Sequence, residues 1–273
     1  MSLPLSIPTA RRSIPSIAAP AAIPPGEVVS GDYALRFAAS VDEVAAVQRL
    51  RHAVFVEELA EGDPLAAGDR DVDPFDEQMH HLLIEHRRSG VAVGTYRLQT
   101  SAMAADSVRG WYASTLFDLG DMPREWARDG VEIGRACVAR GHRNGRVLRL
   151  LWRGLARYLQ WNARRYLFGC CSVPSRDPRE APAVWALLRR AGVIVEPLPV
   201  RALPHAHCDV DGPLIPTFAP RLPPLMQGYF ALGAQVVSPP AFDAAFGSID
   251  CLVLLDIADL APATFRSFFG DAA

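Results

Sequence analysis

The stretch GVEIGRACVARGHRNGRVLRLLWRGLARYLQW, residues 130–161, decides how the rest of the chain is arranged. It starts as a short apolar strand carrying two charges, Glu132 and Arg135, then turns through a loop rich in Arg, Gly and Asn and ends in a long amphipathic helix. Strict alternation puts the two charges on opposite faces, and a bulge at Gly134 would return them to one side. A strand, a polar loop and a helix N-terminus together can hold an anionic group beside a reactive carbonyl.

Composition narrows the classes of protein to consider. A chain of 273 residues, half of them hydrophobic, can bury a sizeable core as one large domain or two small ones. The net charge of −2 gives no reason to expect nucleic acid as a partner. All 28 basic residues are arginine, which excludes lysine-based covalent catalysis. Five cysteines without CxxC spacing fit a reducing cytoplasm.

Residues 1–30 are predicted to be a disordered tail rich in Pro and Ala. Prolines interrupt every apolar run there, which argues against a secretory signal. The alternative is a twin-arginine export signal, but the apolar segment after Arg12 is too short and too often interrupted for one. No other stretch approaches the ~18 consecutive apolar residues of a spanning helix. We therefore expect a cytoplasmic protein.

Residues 31–273 are predicted to form one α/β domain, with a core of about 33–175 and a C-terminal half of about 176–270. In the core we predict strands over 33–38, 80–85, 91–100 and 166–173, and a short apolar strand that begins at Gly130 and carries Glu132 and Arg135. We also predict a helix capped by Ser40 and Glu43 that ends near Leu59, a short helix near 111–119 and a long helix from about Arg146. In the C-terminal half we predict helices over 178–190 and 222–232, strands over 192–199, 234–237 and 251–256, and an amphipathic end over 264–269.

Four charges stand at positions where apolar residues are expected. Arg51 falls within the apolar arc of the first helix, and Arg97 lies on a face of its strand that begins as apolar. Glu132 and Arg135 share a third apolar segment. A buried carboxylate is costly unless it is paired with a cation or kept for chemistry. A structural ion-pair network explains one such pair more readily than four coincidences.

Arginines also recur along the long helix and the loop before it. A solvated face is one interpretation of this ridge, but acids do not alternate with its cations, which favours an acidic partner that delivers a substrate. The ridge consists of Arg140, Arg143, Arg146, Arg149, Arg153 and Arg157.

Several segments, in this order, resemble one branch of the GNAT acyltransferases. They are LRHAVFVEE (50–58), DVDPFDEQMHHLLI (71–84), VGTYRL (93–98), VEIGRACV (131–138), RNGRVLRLLWRGL (143–155), YLFGCCS (166–172), LPPLMQGYFALGAQV (222–236) and PAFDAAFGSIDCLVLLDI (240–257). This branch is the ornithine N-acyltransferases of lyso-ornithine lipid synthesis, often labelled haemolysin-like. The acyl-homoserine-lactone synthases are similar, more distantly, at Arg51, Phe55, Asp73, Asp76, Arg97, Glu132 and Arg135.

The resemblance implies a fold and a reaction. The fold is a mixed, mostly antiparallel central sheet flanked by helices, with a C-terminal elaboration. The reaction moves a 3-hydroxyacyl group from the phosphopantetheine of acyl carrier protein to the α-amine of L-ornithine, the first step of ornithine lipid biosynthesis. No cofactor or metal belongs to the protein itself, and the amphiphilic product favours weak contact with the inner face of the membrane.

The resemblance also implies roles for residues of the site. Glu132 is predicted to be the base, acting directly or through water. Asp73 and Asp76 are candidates for the cationic ends of the amino acid, and Arg51, Arg97 and Arg135 for its carboxylate or for organising the site. Backbone N–H groups around Cys137 and Val138 are predicted to stabilise the oxyanion, and Arg143, Asn144 and Gly145 to hold the phosphopantetheine.

Two positions depart from the family pattern. Gln227 and Ala231 stand where relatives carry Lys and Arg, which leaves open another acceptor such as glycine, or the precursor of a lactone signal. A non-catalytic protein that binds acyl carrier or lipid is the alternative from another class. Glu132 and the surrounding arginines disfavour it.

Overall fold

The computed structural model of the chain describes residues 23–59 and 68–270. Most of the predicted tail, residues 1–22, lies outside the described residues. The last part of that segment does not match the prediction, because Val28–Ser30 forms a strand paired with Tyr33–Phe37. Gly31, whose φ is +59°, makes the tight turn between them. The folded part of the chain thus begins before Tyr33.

Eleven strands are present in the described part of the chain. They are β1 (Val28–Ser30), β2 (Tyr33–Phe37), β3 (His80–His86), β4 (Val91–Thr100), β5 (Phe117–Asp118), β6 (Gly130–Val138), β7 (Tyr166–Pro174), β8 (Arg201–Ala202), β9 (Gln235–Val236), β10 (Ala241–Asp243) and β11 (Ser248–Asp256). Strands β5 and β8 form a small separate sheet.

The other nine strands form one sheet in the order β1-β2-β3-β4-β6-β7-β11-β10, with β9 also paired to β11. Only β6 and β7 are parallel; every other pair is antiparallel. Because β11 pairs with β7 along its whole length, the C-terminal half continues the sheet of the core. The predicted fold class, an α/β fold with a mixed, mostly antiparallel sheet, is confirmed.

Seven α-helices flank the sheet in the described part. They are α1 (Val41–Arg51), α2 (Ser101–Asp106), α3 (Arg124–Asp129), α4 (Gly145–Trp161), α5 (Ala181–Ala191), α6 (Pro224–Ala231) and α7 (Pro262–Phe269). The strand predicted over 192–199 is wrong: only Ile194 makes an isolated bridge, to Val236. None of these helices is both long and apolar enough to cross a membrane.

The first helix changes its winding halfway. Ser40 caps α1 by accepting a hydrogen bond from the Glu43 N–H at 3.2 Å, as predicted. From His52 to Glu58 the helix continues with wider π turns, in which the Leu59 N–H donates to the Val54 carbonyl. Arg51 stands at this change and is fully buried. The π turns were not predicted, since the apolar spacing was judged against a regular α-helix.

Strand β6 contains the bulge that the sequence suggested. Arg97 of β4 lies opposite Gly134, and Thr95 lies opposite Cys137, so Tyr96 faces two residues of β6. Arg135 is one of these two and has a φ of +49°. The bulge thus lies at Arg135, one residue after the predicted position, and it brings Glu132 and Arg135 to the same cavity.

Strands β6 and β7 separate after a short parallel pairing. The pairing covers only Gly130–Glu132 with Tyr166–Phe168. At the separation a Cβ on Gly169 would lie 2.1 Å from the Ile133 carbonyl oxygen, so only glycine fits this close approach. Beyond it β7 stays paired with β11 while β6 stays paired with β4. The result is a gap in the middle of the sheet.

The two faces of the sheet pack against different elements. Helix α4 packs on one face, where its Leu151 joins Tyr96 and Leu167 in the main core. On the opposite face Leu50 of α1 packs near Cys137, and Phe168 packs with Phe117 in a second cluster. Alternation along β7 thus sends Leu167 to the α4 face and Phe168 to the α1 face.

Candidate active site

A cavity of about 980 Å³ fills the gap between β6 and β7. Its wall includes Glu132–Val138 of β6 and Leu167–Ser172 of β7. Since neighbouring residues of these strands point to opposite faces, the cavity crosses the sheet. We call its part on the α1 face the polar chamber, lined by Arg97, Tyr112, Glu132, Arg135, Cys170, Phe246 and Asp250. We call its part on the α4 face the apolar chamber, lined by Tyr96, Leu151, Trp152, Leu167, Met226, Tyr229, Val253 and Leu255.

Glu132 is 2% exposed and lies in the wall of the polar chamber. Its Oε2 accepts hydrogen bonds from Gln99 Nε2 at 2.6 Å and from the Tyr112 N–H at 2.8 Å. Its Oε1 accepts one, from the Ala113 N–H at 2.6 Å. Burial raises the pKa of Glu132, and these hydrogen bonds oppose the rise. A carboxylate of raised pKa with room at one oxygen can accept a proton from a bound amine or from water.

Three arginines and three aspartates form a network beside the polar chamber. Arg51 forms ion pairs with Asp71 at 2.7 Å and with Asp76 at 2.8 Å. Arg97 bonds the same Asp76 at 2.8 Å. These cations hold the pKa of Asp76 far below its usual value although burial acts to raise it. Asp76 therefore stays ionised and fully engaged with protein groups.

The network reaches the chamber through two of its arginines. Arg97 forms an ion pair with Asp73 at 2.5 Å, and Arg135 forms one with the same residue at 2.9 Å. Both guanidinium groups also contact the ring of Tyr112, with Cζ 5.4 Å from its centroid for Arg97 and 5.6 Å for Arg135. The pKa of Arg135 is raised because Tyr112 and the nearby aspartates outweigh its burial. Both cations are fixed in place and face the cavity.

The remaining predicted binding residues do not reach the cavity. Among the described residues, Arg51, Asp73 and Asp76 are absent from its wall. The charged groups of these residues bind other protein groups. The buried carboxylate of Asp76, for example, is stabilised by the guanidinium groups of Arg51 and Arg97. This arrangement corrects the expectation that Asp73 and Asp76 meet the cationic ends of the amino acid. For Arg51 two roles were predicted, binding the carboxylate of the amino acid or organising the site, and this arrangement fits the second.

The predicted oxyanion donors divide between the two edges of β6. The Ala139 N–H donates to the Val93 carbonyl of β4 at 2.9 Å. Alternation along the ladder turns the Val138 N–H to the other edge, which faces the gap, and turns the Cys137 N–H towards Thr95. The Cys137 part of the prediction is therefore corrected. Its side chain still lines the cavity, and burial raises the pKa of the thiol to about 12, so it stays protonated.

Arg143, Asn144 and Gly145 line the cavity at the start of α4, as predicted for the phosphopantetheine loop. Arg143 forms two hydrogen bonds to Glu58, at 2.6 and 2.8 Å, and its Nε donates to the Val138 carbonyl at 3.0 Å. The Asn144 side chain caps α4 by accepting from the N–H groups of Arg146 and Val147, both at 3.1 Å. Asn144 thus occupies part of the helix N-terminus, and phosphopantetheine binding by this loop stays a prediction.

Sequence reasoning missed several residues of the site. Tyr112 and Gln99 hold Glu132. Tyr112 lies in an irregular segment, and Gln99 is an uncharged residue near the end of β4, so neither stood out as a misplaced charge does. Asp71 belongs to the network through its pairs with Arg51 and Arg135. Asp250 carried a usable signal: it is a carboxylate in an apolar strand, as Glu132 is.

The same segments match known proteins. The family model described as an acetyltransferase (GNAT) domain matches residues 50–153. The L-ornithine N(alpha)-acyltransferase of Rhizobium meliloti (strain 1021) is 32% identical over 272 residues, which cover 94% of this chain and 90% of the relative. The protein of the same name from Agrobacterium fabrum (strain C58 / ATCC 33970) is 32% identical over 260 residues, 89% of this chain and 87% of the relative.

The split sheet, the cavity across it and the matching domain define a GNAT-type acyltransferase. Sequence identity above 30% over nearly the whole chain narrows the class further. The chain belongs to the L-ornithine N(alpha)-acyltransferase family.

Solved structures with a similar arrangement have much lower sequence identity. The AHL synthase LasI is 13% identical with a TM-score of 0.47, covering 88% of this chain and 96% of that chain. FeeM, an N-acyl amino acid synthase from uncultured soil microbes, is 10% identical with a TM-score of 0.49, covering 86% and 94%.

Proposed function

We propose that this protein transfers a 3-hydroxyacyl group from the phosphopantetheine thioester of acyl carrier protein to the α-amine of L-ornithine. The observation that carries the proposal is the cavity across the sheet. It joins a polar chamber, which holds Glu132 and two arginines, to an apolar chamber that suits an acyl chain. The printed name of the relatives supplies the acceptor.

In the proposed reaction the thioester carbonyl lies in the gap of the sheet, beside the Val138 N–H. The acceptor enters the polar chamber as an ammonium ion, and Glu132 removes one proton, directly or through water. The amine then attacks the carbonyl carbon, forming a C–N bond and an oxyanion that the Val138 N–H stabilises. The nitrogen of this intermediate carries a positive charge. Its collapse breaks the C–S bond, and the leaving thiolate takes up, directly or through water, the proton that the nitrogen loses. Arg97 and Arg135 bind the carboxylate of the acceptor.

The proposal is tested with the purified full-length protein and 3-hydroxyacyl carrier protein. Mass spectrometry measures the amides formed with a panel of amino acids that includes ornithine and glycine, and parallel reactions use the coenzyme A thioester. Ornithine and the carrier-bound donor are expected to give the highest kcat/KM. A preference for glycine or another neutral acceptor contradicts ornithine, and no amide with any acceptor contradicts the enzyme.

The arginine ridge is the proposed docking surface for the acidic carrier. Arg143 and Leu148 line the cavity at the start of α4, so the ridge begins at the cavity itself. Arg140, Arg149 and Arg153 are exposed and form no ion pair among the described residues. Unpaired cations beside the entrance can attract an acidic partner and orient its phosphopantetheine arm.

Changing Arg149 to glutamate is expected to raise KM for acyl carrier protein about tenfold with little change in kcat, because a charge at the rim of an interface acts mainly on association. Steady-state kinetics at two salt concentrations measure the effect. Arg190→Glu on α5, also exposed and not part of the cavity wall, is the control. Equal KM values in the two variants would place the carrier elsewhere.

The apolar chamber contains one polar pair that fits a hydroxylated acyl chain. The hydroxyl oxygens of Tyr96 and Tyr229 lie 2.6 Å apart, and both residues are buried. One hydroxyl donates to the other, and the accepting hydroxyl keeps a hydrogen with no acceptor among the described residues. A 3-hydroxyl group on the acyl chain would provide that acceptor.

Replacing Tyr229 by phenylalanine is therefore expected to reduce the preference for a 3-hydroxyacyl chain over the unsubstituted chain about tenfold, as expected for loss of one buried hydrogen bond. The measurement is the ratio of kcat/KM for the two donors. Tyr166→Phe, which alters a tyrosine outside the cavity wall, is the control. An unchanged ratio in the Tyr229 variant would remove the tyrosine pair from acyl selection.

A further inference from the structure

Asp250 is a carboxylate of the polar chamber to which the reaction above gives no role. It lies on β11 opposite Ser172 of β7 and is 2% exposed. Its side chain lines the same cavity as Glu132 and Arg135. Alternation along β7 puts Ser172 and Phe168 on one face, and Phe168 lies opposite Glu132. Asp250 and Glu132 thus approach the chamber from strands on either side of β7.

Asp250 has no cation of its own. Its Oδ1 accepts a hydrogen bond from Ser248 Oγ at 2.6 Å, and the Ser172 hydroxyl also acts on it. Among the described residues it forms no ion pair, whereas Asp71, Asp73 and Asp76 each pair with arginines. Burial raises the pKa of Asp250 to about 6, the charge of Asp243 acts in the same direction, and the serine hydrogen bonds and Arg135 oppose the rise. The chamber therefore holds one buried carboxylate that a positive charge would stabilise.

Glu132 and Asp250, the two chamber carboxylates without an ion pair among the described residues, both influence Cys170. Cys170 stands on β7 midway between the residues that face Glu132 and Asp250. Burial is the main cause that raises the pKa of its thiol, and the negative charges of Asp250 and Glu132 are the next two. Cys170 lines the cavity, so the space between the two carboxylates is open to a ligand.

Three charges around this space match the charges of a dibasic amino acid. Ornithine carries an α-ammonium, an α-carboxylate and, three methylene groups from its α-carbon, a second ammonium. Glu132 faces the first and the guanidinium of Arg135 the second. Asp250 remains for the third, because Asp73 and Asp76 are engaged by Arg51, Arg97 and Arg135.

We infer that Asp250 binds the side-chain ammonium of the acceptor and so selects a dibasic amino acid over a neutral one of the same length. This inference rests on the proposed function. On this inference the choice of acceptor does not depend on Gln227, where relatives carry Lys. The side-chain amide of Gln227 donates to the Leu222 carbonyl at 2.7 Å. A cation placed in a buried site against an unpaired carboxylate contributes much more than one at the surface.

The test compares ornithine with norvaline, which has the same carbon chain but lacks the side-chain nitrogen. With the full-length protein and one acyl donor, the wild type is expected to prefer ornithine by about 100-fold in kcat/KM. In Asp250→Asn, which keeps the size of the side chain, this preference is expected to fall to about tenfold or less, mainly through loss of ornithine turnover. The ratio is taken within one variant, so partial unfolding cancels from it.

Asp243→Asn is the matched control. Asp243 is also buried, its carboxylate accepts the Phe246 N–H at 2.9 Å, and it does not line the cavity. The charge of Asp243 raises the pKa of Asp250, so its removal leaves Asp250 ionised, and this variant is expected to keep the wild-type preference. A ratio of ornithine to norvaline in Asp250→Asn equal to that in Asp243→Asn overturns the inference.

A second variant decides the outcome if Asp250→Asn is inactive with both acceptors. Asp250→Glu keeps the charge but extends it by one methylene, so its preference is expected to shift at least fivefold towards 2,4-diaminobutyrate, which is one methylene shorter than ornithine. An unshifted ratio overturns the inference. Failure of the proposed function looks different, because the wild type itself would then form no amide from ornithine.

Discussion

Replacing Glu132 by glutamine is expected to lower kcat by about 10²- to 10⁴-fold, the range in which a positioned general base contributes. Glutamine has the same shape but cannot accept the proton of the ammonium at neutral pH. Single-turnover kinetics with a preformed complex of enzyme and acyl carrier protein measure the chemical step directly. Donor binding is expected to be unchanged, since residues 143–145, the predicted phosphopantetheine loop, form none of the hydrogen bonds to this side chain.

The pH dependence of kcat/KM tests independently whether Glu132 is the general base. Burial raises the pKa of Glu132, so the reactive carboxylate is lost as pH falls through that raised value. The kcat/KM of the wild type is therefore expected to rise with pH on its acidic limb. The glutamine variant should lose the limb that belongs to Glu132 and keep any limb that belongs to Asp250 or to the acceptor amine.

The variant must also be shown to fold. The carboxylate accepts three hydrogen bonds, and the amide NH₂ of glutamine would face one of these donors, which costs about 1–3 kcal/mol of stability. Thermal unfolding measures this cost, and assays are run well below the transition. Glu85→Gln, which changes a strand glutamate paired with Arg36 outside the cavity wall, is the control. Turnover within tenfold of wild type would move the base to another group.

Charges in apolar segments were the features of the sequence that best predicted the site. Arg51, Arg97, Glu132 and Arg135 were identified because burial of a charge is costly, and the structure brings all four together around one network and one chamber. The same rule applied to β11 would have identified Asp250. The rule says that such a charge has a partner, but it does not say which one.

The sequence could not predict which groups pair with these charges, because the pairs join segments that are far apart in the chain. Asp73 and Asp76 lie more than twenty positions after Arg51 in the sequence, and only the folded structure shows that they pair with Arg51 and Arg97. Likewise Tyr112 meets Glu132 through its backbone N–H, a contact that leaves no trace in residue type. Regular elements were predicted well where an apolar period was long, as in β4 and α4. The prediction failed over 192–199, where apolar residues lie in an irregular segment with one bridge.

Replacing Arg51 by methionine is expected to destabilise the protein by about 3–5 kcal/mol. Arg51 is fully buried, and its removal would leave Asp71 and Asp76 short of a cation, which is the costly way to break a buried ion pair. The pKa of Asp76 is lowered in the folded protein, so the stabilisation by this network is complete above the unfolded value near 4 and declines as pH falls below it. The difference in stability between wild type and variant is thus expected to shrink in acid.

Urea unfolding of both proteins at pH 7 and at pH 3.5 measures this difference. Arg36→Met is the matched control, since Arg36 also holds two carboxylates, Glu43 and Glu85, but in half-exposed pairs that contribute at most about 1 kcal/mol. A loss in Arg51→Met no larger than in Arg36→Met would show that the buried network does not hold the fold. If Arg51→Met loses much stability but its folded fraction has the wild-type KM for the acceptor, Arg51 stabilises the protein and does not shape the acceptor site. We expect instead that KM for the acceptor rises together with the loss of stability, because Arg51 shares Asp76 with Arg97, which lines the chamber.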